Sequence, residues 1–140
     1  MRFVTLPGMV CALAFGTLAA CTEPTGPAQT MPTTADGAVF FAENCASCHG
    51  ADGSGGNAKG LANTPPDLTM LSDRNGGTFP AARALSYIYG DLQTSHLARV
   101  MPEFGAEMTE DLVPVEIDGV LTPTPRELAG LLAFLENIQR

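Results

Sequence analysis

The run Cys45-Ala46-Ser47-Cys48-His49 constrains this chain more than any other stretch. Cys-x-x-Cys-His is the attachment signature of a c-type haem. Two thiols at this spacing reach the two vinyl groups along one porphyrin edge from a single helical turn. The adjacent imidazole faces the iron from the same side. The pentapeptide therefore predicts covalent attachment through Cys45 and Cys48 and a proximal ligand at His49. Cys-x-x-Cys also occurs in zinc sites and redox dithiols. A zinc site needs a second closely spaced ligand pair, and the sequence offers none. A redox dithiol follows a strand in a βαβ context, whereas the residues ahead of Cys45 read as helix.

A chain of 140 residues without Trp and with 15 Gly holds thin material for an ordinary core. A haem fills that gap, because short helices can pack around a large apolar disc. The length suits one domain. A formal net charge of -8 argues against nucleic acid as a partner, since phosphate contacts need Lys and Arg. It suits steering toward a basic patch on a protein.

The N-terminus reads as an export segment. Arg2 is a weak positive n-region, and Val10 to Ala20 is an apolar run too short and too Gly-interrupted to span a membrane. It ends in Leu18-Ala19-Ala20-Cys21, which resembles the lipobox of bacterial lipoproteins. That resemblance implies cleavage of residues 1–20 and a diacylglycerol on Cys21; the alternative is an ordinary signal peptide that leaves Cys21 free. More than one acyl chain makes anchoring stable. The expected location is the periplasmic side of a bacterial membrane, lipid-anchored or, on the alternative, soluble. Export agrees with the haem reading, because bacteria attach haem outside the cytoplasmic membrane. Residues 21–35, rich in Pro, Thr, Gly and Ala, read as a disordered tether.

Residues 36–140 resemble a class I c-type cytochrome with a single haem. Gly37 stands eight positions before Cys45, and Phe41 four before it, as in that family. The resemblance implies an all-α fold of three to five helices around one covalent haem c. It also implies a close crossing of the first and last helices at Gly37 and Phe41. Glycine permits close backbone approach, and Phe41 shares a helical face with Cys45. After a Gly-rich loop without a Gly-Lys-Ser/Thr phosphate signature, in which Lys59 reads as solvated, comes Pro65-Pro66-Asp67-Leu68. By resemblance, the Pro66 carbonyl accepts a hydrogen bond from the far nitrogen of His49, and Leu68 packs on the haem. Such a bond orients the ring and raises its basicity.

Met101-Pro102-Glu103-Phe104-Gly105 resembles the family's distal-ligand motif, which makes Met101 the sixth ligand. A thioether favours ferrous iron and raises the potential. Two alternatives stay open: His96 as a second imidazole, or an open sixth position. Met70 and Met108 read as core filler. Tyr87 and Tyr89 either reach a haem propionate or cover surface.

Further elements follow from local pattern. Asp67 to Asp73 predicts a short helix. Thr78 predicts an N-cap with Pro80 in the first turn, and Gly90 a C-terminal stop. Alternating residues around Asp118-Gly119 predict a small β-ribbon near 113–122. Thr124-Pro125-Arg126-Glu127 predicts a capping box ahead of a stripe formed by Leu128, Leu131, Leu132, Leu135 and Ile138. Phe134 borders that stripe and matches the family's last-helix aromatic.

The expected function is single-electron transfer between redox protein partners by a monomeric protein that is not an enzyme. The alternatives are a haem subunit of a larger dehydrogenase or oxidase, and a small-ligand-binding or peroxidatic module.

Overall fold

A computed structural model describes residues 30–56, 58–61, 63–90, 101–105 and 107–140. The expected signal segment, Cys21 and His96 lie outside the described residues.

The first helix, α1 (Thr34–Asn44), begins with a capping box: the Asp36 amide donates to Thr33 Oγ1 and the Thr33 amide donates to Asp36 Oδ2 at 2.8 Å. The domain boundary expected at residue 36 thus lies inside the first helical turn. A donor-acceptor exchange invisible to composition recruits Thr33, Thr34 and Ala35 from the expected tether. Arg126 also donates to the Thr30 carbonyl, which ties the entering chain to the start of the last helix.

That last helix, α4 (Arg126–Asn137), crosses α1 at two glycines. A Cβ on Gly37 would lie 1.9 Å from the Gly130 carbonyl oxygen, so only glycine permits this approach. One turn on, the rings of Phe41 and Phe134 pack at 5.1 Å. Phe41, Leu128, Leu131 and Leu135 are buried between the helices with Cys45 and Ile88. The leucine stripe of α4 therefore faces α1 and the cavity beyond it.

Between them the chain makes α2 (Ala46–His49), two 3-10 turns (Leu68–Met70 and Asp73–Asn75) and α3 (Ala81–Tyr89). The short helix expected over Asp67 to Asp73 is these two separate turns. Asp67 caps the first through the Thr69 amide at 2.9 Å and hydroxyl at 2.6 Å. Helix α3 starts later than expected. Its N-cap is Pro80, no side chain caps it, and the Thr78 carbonyl instead accepts from Asn75 Nδ2. Gly90 ends it in the left-handed region, at φ +100°.

Strands β1 (Leu112–Ile117) and β2 (Val120–Pro125) form an antiparallel ribbon, in register from Leu112 opposite Pro125 to Ile117 opposite Val120. Asp118 and Gly119 both take positive φ, 51° and 80°, the geometry of a type I′ hairpin. The ribbon runs straight into α4, which displaces the expected capping box. Thr124 is buried in the strand and its hydroxyl donates to the Thr122 carbonyl. The residue just ahead of β1 takes that place instead: the Arg126 amide donates to the Asp111 carbonyl at 3.1 Å. The fold is thus helical with one small antiparallel ribbon.

Candidate haem-binding site

Cys45 closes α1 and opens α2 in a single helical turn. The amides of Cys48 and His49 both donate to the Cys45 carbonyl, at 3.1 and 2.9 Å. That turn carries the two sulfurs and the imidazole to one wall of a cavity of about 440 Å³. This lies within the roughly 300–1,000 Å³ usual for small-molecule and cofactor sites.

His49 is buried, and its Nδ1 lies 3.2 Å from the Pro66 carbonyl oxygen. With Nδ1–H donating, the Nε2 lone pair is the one left for a metal. Pro66 is held in turn by its neighbours. The Leu68 amide donates to the Gly53 carbonyl at 2.7 Å. Gly55, at φ +83°, leaves no space for a Cβ, which would lie 2.6 Å from the Pro65 carbonyl oxygen. From the far end of α4, Gln139 Nε2 donates to the Leu68 carbonyl at 2.9 Å, and the Ser72 amide donates to Gln139 Oε1 at 2.8 Å.

Cys45, Cys48, His49, Pro66, Leu68 and Met101 all line this cavity, with Phe41, Leu131 and Leu135 behind them. Residues 56 positions apart, Cys45 and Met101, thus come to one apolar space. Among the described residues no cluster of three or more His, Cys, Asp or Glu side chains exists, so the zinc reading lacks a ligand set. Cys45 and Cys48 are free thiols rather than a disulfide. Burial, and then Cys48 beside it, pushes the Cys45 thiol up to about 11.

The cytochrome c family model matches residues 34–139. The chain belongs to the cytochrome c family. Haem-based electron transfer is the role that this domain supports, and haem c is the cofactor it implies. Neither a curated protein nor a solved structure was found to match the chain.

The residues of this cytochrome c domain fit a haem. Two thiols, an imidazole and a thioether line one largely apolar cavity, the donor set that haem c uses. Of the two tyrosines left open by the sequence, Tyr87 lines the cavity, whereas Tyr89 lies over Gly105. Met108 packs against the core, as expected of filler.

Three residues escaped sequence reasoning. Among the described residues, Arg83 is the one cation lining the cavity, and its guanidinium donates to Asn75 Oδ1 at 3.3 Å. Its position on α3 gave no signal beyond a charge on an amphipathic helix. Gly130 pairs with Gly37, and a glycine inside a leucine-rich helix is a readable hint of close packing. Gln139 holds the Leu68–Ser72 turn, and nothing in a penultimate glutamine announces that.

Proposed function

We propose that this domain is a single-electron carrier built on one haem c, joined through Cys45 and Cys48 and ligated by His49 and Met101. The observation that carries the reading is the meeting of both thiols, the Pro66-bonded imidazole and the Met101 side chain at one apolar cavity. When bound, haem supplies one-electron iron chemistry.

The chain's own residues do the rest. Pro66 fixes the tautomer and orientation of His49 and strengthens it as a donor to iron. Met101, a soft thioether, favours the ferrous state and raises the potential. Phe41, Leu68, Leu131 and Leu135 exclude water, so little solvent has to reorganise when charge changes. Arg83 offers a positive charge to the carboxylates that a haem carries. His49 and Met101 would hold the iron between them and leave no place on it for a substrate, which makes the protein a carrier rather than an enzyme.

Its partners are donor and acceptor proteins that meet the haem edge through small, weak interfaces, which suit fast turnover. The surplus of acid favours partners with a basic face. The protein works as a monomer on the periplasmic side of a bacterial membrane, held there by lipid on Cys21. Support for the anchor comes from Leu18-Ala19-Ala20-Cys21 and the Pro-rich run that follows. Among the described residues no helix is long and apolar enough to cross a membrane.

The test is an absorption spectrum of the exported, haem-loaded protein, oxidised and then reduced with carbon monoxide added. A weak far-red iron–thioether band and no carbon monoxide shift are expected. Met101→Ala should abolish the band, admit carbon monoxide and lower the potential by roughly 100 mV or more, a fraction of the ~0.8 V that axial ligands command. A prompt carbon monoxide shift in the unmutated protein would mean an open site and a ligand-binding role. A missing band without that shift would hand the sixth position to His96.

A further inference from the structure

The segment carrying Met101 hangs on the last turn of α3. The Phe104 amide donates to the Ile88 carbonyl, and the Gly105 amide to the Tyr89 carbonyl, each at 3.0 Å. The last carbonyls of a helix have no partner inside it, and here the distal segment takes two of them. Tyr89 then lies across Gly105, which is buried. A Cβ on Gly105 would stand 2.2 Å from Tyr89 Cδ2 and 2.3 Å from Cγ. Those atoms belong to the root of the ring, so the whole ring, and not the tip of a flexible chain, would have to move to clear them. Between these contacts and Met101, Phe104 lines the cavity and meets Phe40 edge to face at 6.0 Å.

We propose that Tyr89 and Gly105 are positioning residues for Met101. The ring closes over a backbone that carries no side chain, and only then can 104–105 come near enough to α3 for both hydrogen bonds. That distance sets how far the Met101 thioether reaches into the cavity. A metal–ligand bond tolerates a few tenths of an ångström, whereas clearing a 2.2 Å contact requires a shift several times larger. The inference rests on Met101 as the sixth ligand.

The experiment uses the full-length, haem-loaded protein and four variants: Gly105→Ala, Tyr89→Ala, Tyr89→Phe and the double Gly105→Ala/Tyr89→Ala. Three readouts report the sixth position: the iron–thioether band of the oxidised form, the potential, and carbon monoxide binding to the reduced form. Gly105→Ala should lose most of the band, lower the potential and bind carbon monoxide roughly tenfold more tightly. Removing the ring should relieve the clash, so the double variant should recover at least half of the band. Tyr89→Phe should match the unmutated protein, because the ring and not its hydroxyl acts. Should Gly105→Ala fail to accumulate, Tyr89→Ala carries the test, since it adds no atom. Its band should fade on warming well before the global melt. A normal band and potential in Gly105→Ala, a double variant no better than the single, or a Tyr89→Ala band that persists to the global melt would each overturn the proposal. An unmutated protein without the band would instead overturn Met101 as the ligand, a different failure.

Discussion

The two walls of the cavity are built differently. The proximal wall is part of the framework. Cys45, Cys48 and His49 continue directly from α1, which is locked to α4 at Gly37 and Gly130. Pro66 and Leu68 are fastened to the same framework through Gly53, Gln139 and the Arg140 amide, which donates to the Thr69 carbonyl at 3.0 Å. The distal wall is an attachment. Among the described residues, 101–105 meet the end of α3 through two backbone bonds and through Tyr89 over Gly105, while Met101 and Phe104 pack against the core and Phe104 meets Phe40. A defect on the proximal side should therefore appear first as unfolding. A defect on the distal side should appear first as a change at the sixth position of the iron, in a protein that is still folded.

The largest effect belongs to the helix crossing. In Gly37→Ala the new methyl group would sit 1.9 Å from a backbone oxygen of α4, and no side chain can move aside to admit it. The helices must separate, and the loss should reach about 3 kcal/mol, the upper end for overpacking. Denaturant melts measure this. Gly130→Ala is the control, because its Cβ would meet its nearest neighbour at 3.2 Å and should cost much less. Equal melts for Gly37→Ala and the unmutated protein would remove this crossing from the framework. The distal counterpart is Met101→Ala, whose signature is the potential. If it destabilised the fold as much as Gly37→Ala, the division between the two walls would collapse.

Next in size is the clasp at Gln139. Its amide donates to the carbonyls of Leu68 and Leu135 and accepts from the Ser72 amide. Gln139→Leu keeps the bulk and strands those groups in a half-buried place, at a cost of about 1–2 kcal/mol. Because Leu68 follows Pro66 closely, the variant should also disturb the ring of His49. Electron paramagnetic resonance of the oxidised protein should show altered g-values with the thioether band retained. Loss of the band with unchanged g-values would place Gln139 under the distal wall and reverse the assignment.

What could be read from the sequence follows the range of the interactions. The Cys45–His49 turn, the Asp118-Gly119 hairpin and the Gly90 stop are local, and a few adjacent residues determine each. The α4 stripe is periodic and equally legible. The expected starts of α3 and α4 are each displaced by a neighbour: Asn75 takes the Thr78 carbonyl and leaves α3 without a side-chain cap, and a residue from across the chain meets the first amide of α4. Asp111, just ahead of β1, takes the Arg126 amide at the helix start, where Thr124 was expected to act. Thr33 and Asp36 show the converse, a capping box present in the sequence but overlooked inside a Pro- and Thr-rich run. In the site, Met101 and Pro66 were legible only through family motifs, because nothing local brings them near His49. Gln139 and the Tyr89–Gly105 contact depend on chain separations that no pattern encodes.

The smallest effect tests whether charge helps to hold the proximal wall. Asp67 follows Pro66, and its carboxyl is held below the usual carboxylate range. The Thr69 hydroxyl is the larger cause and the Thr69 amide the next, with Arg140 and Arg74 adding weakly. A carboxyl whose folded value is lowered contributes stability above its unfolded value, here 3.8, and loses it as the pH falls through the lower folded value. Asp67→Asn keeps an oxygen acceptor but cannot ionise. Its deficit against the unmutated protein should be small and constant from neutral pH down to about pH 4 and should shrink below that. Asp67 is only half-buried, so salt should shrink the deficit as well. Denaturant melts at neutral pH and near pH 3 decide the matter. A deficit that does not change with pH would mean that only the geometry of the turn holds Pro66 in place, and that the proximal wall owes nothing to ionisation.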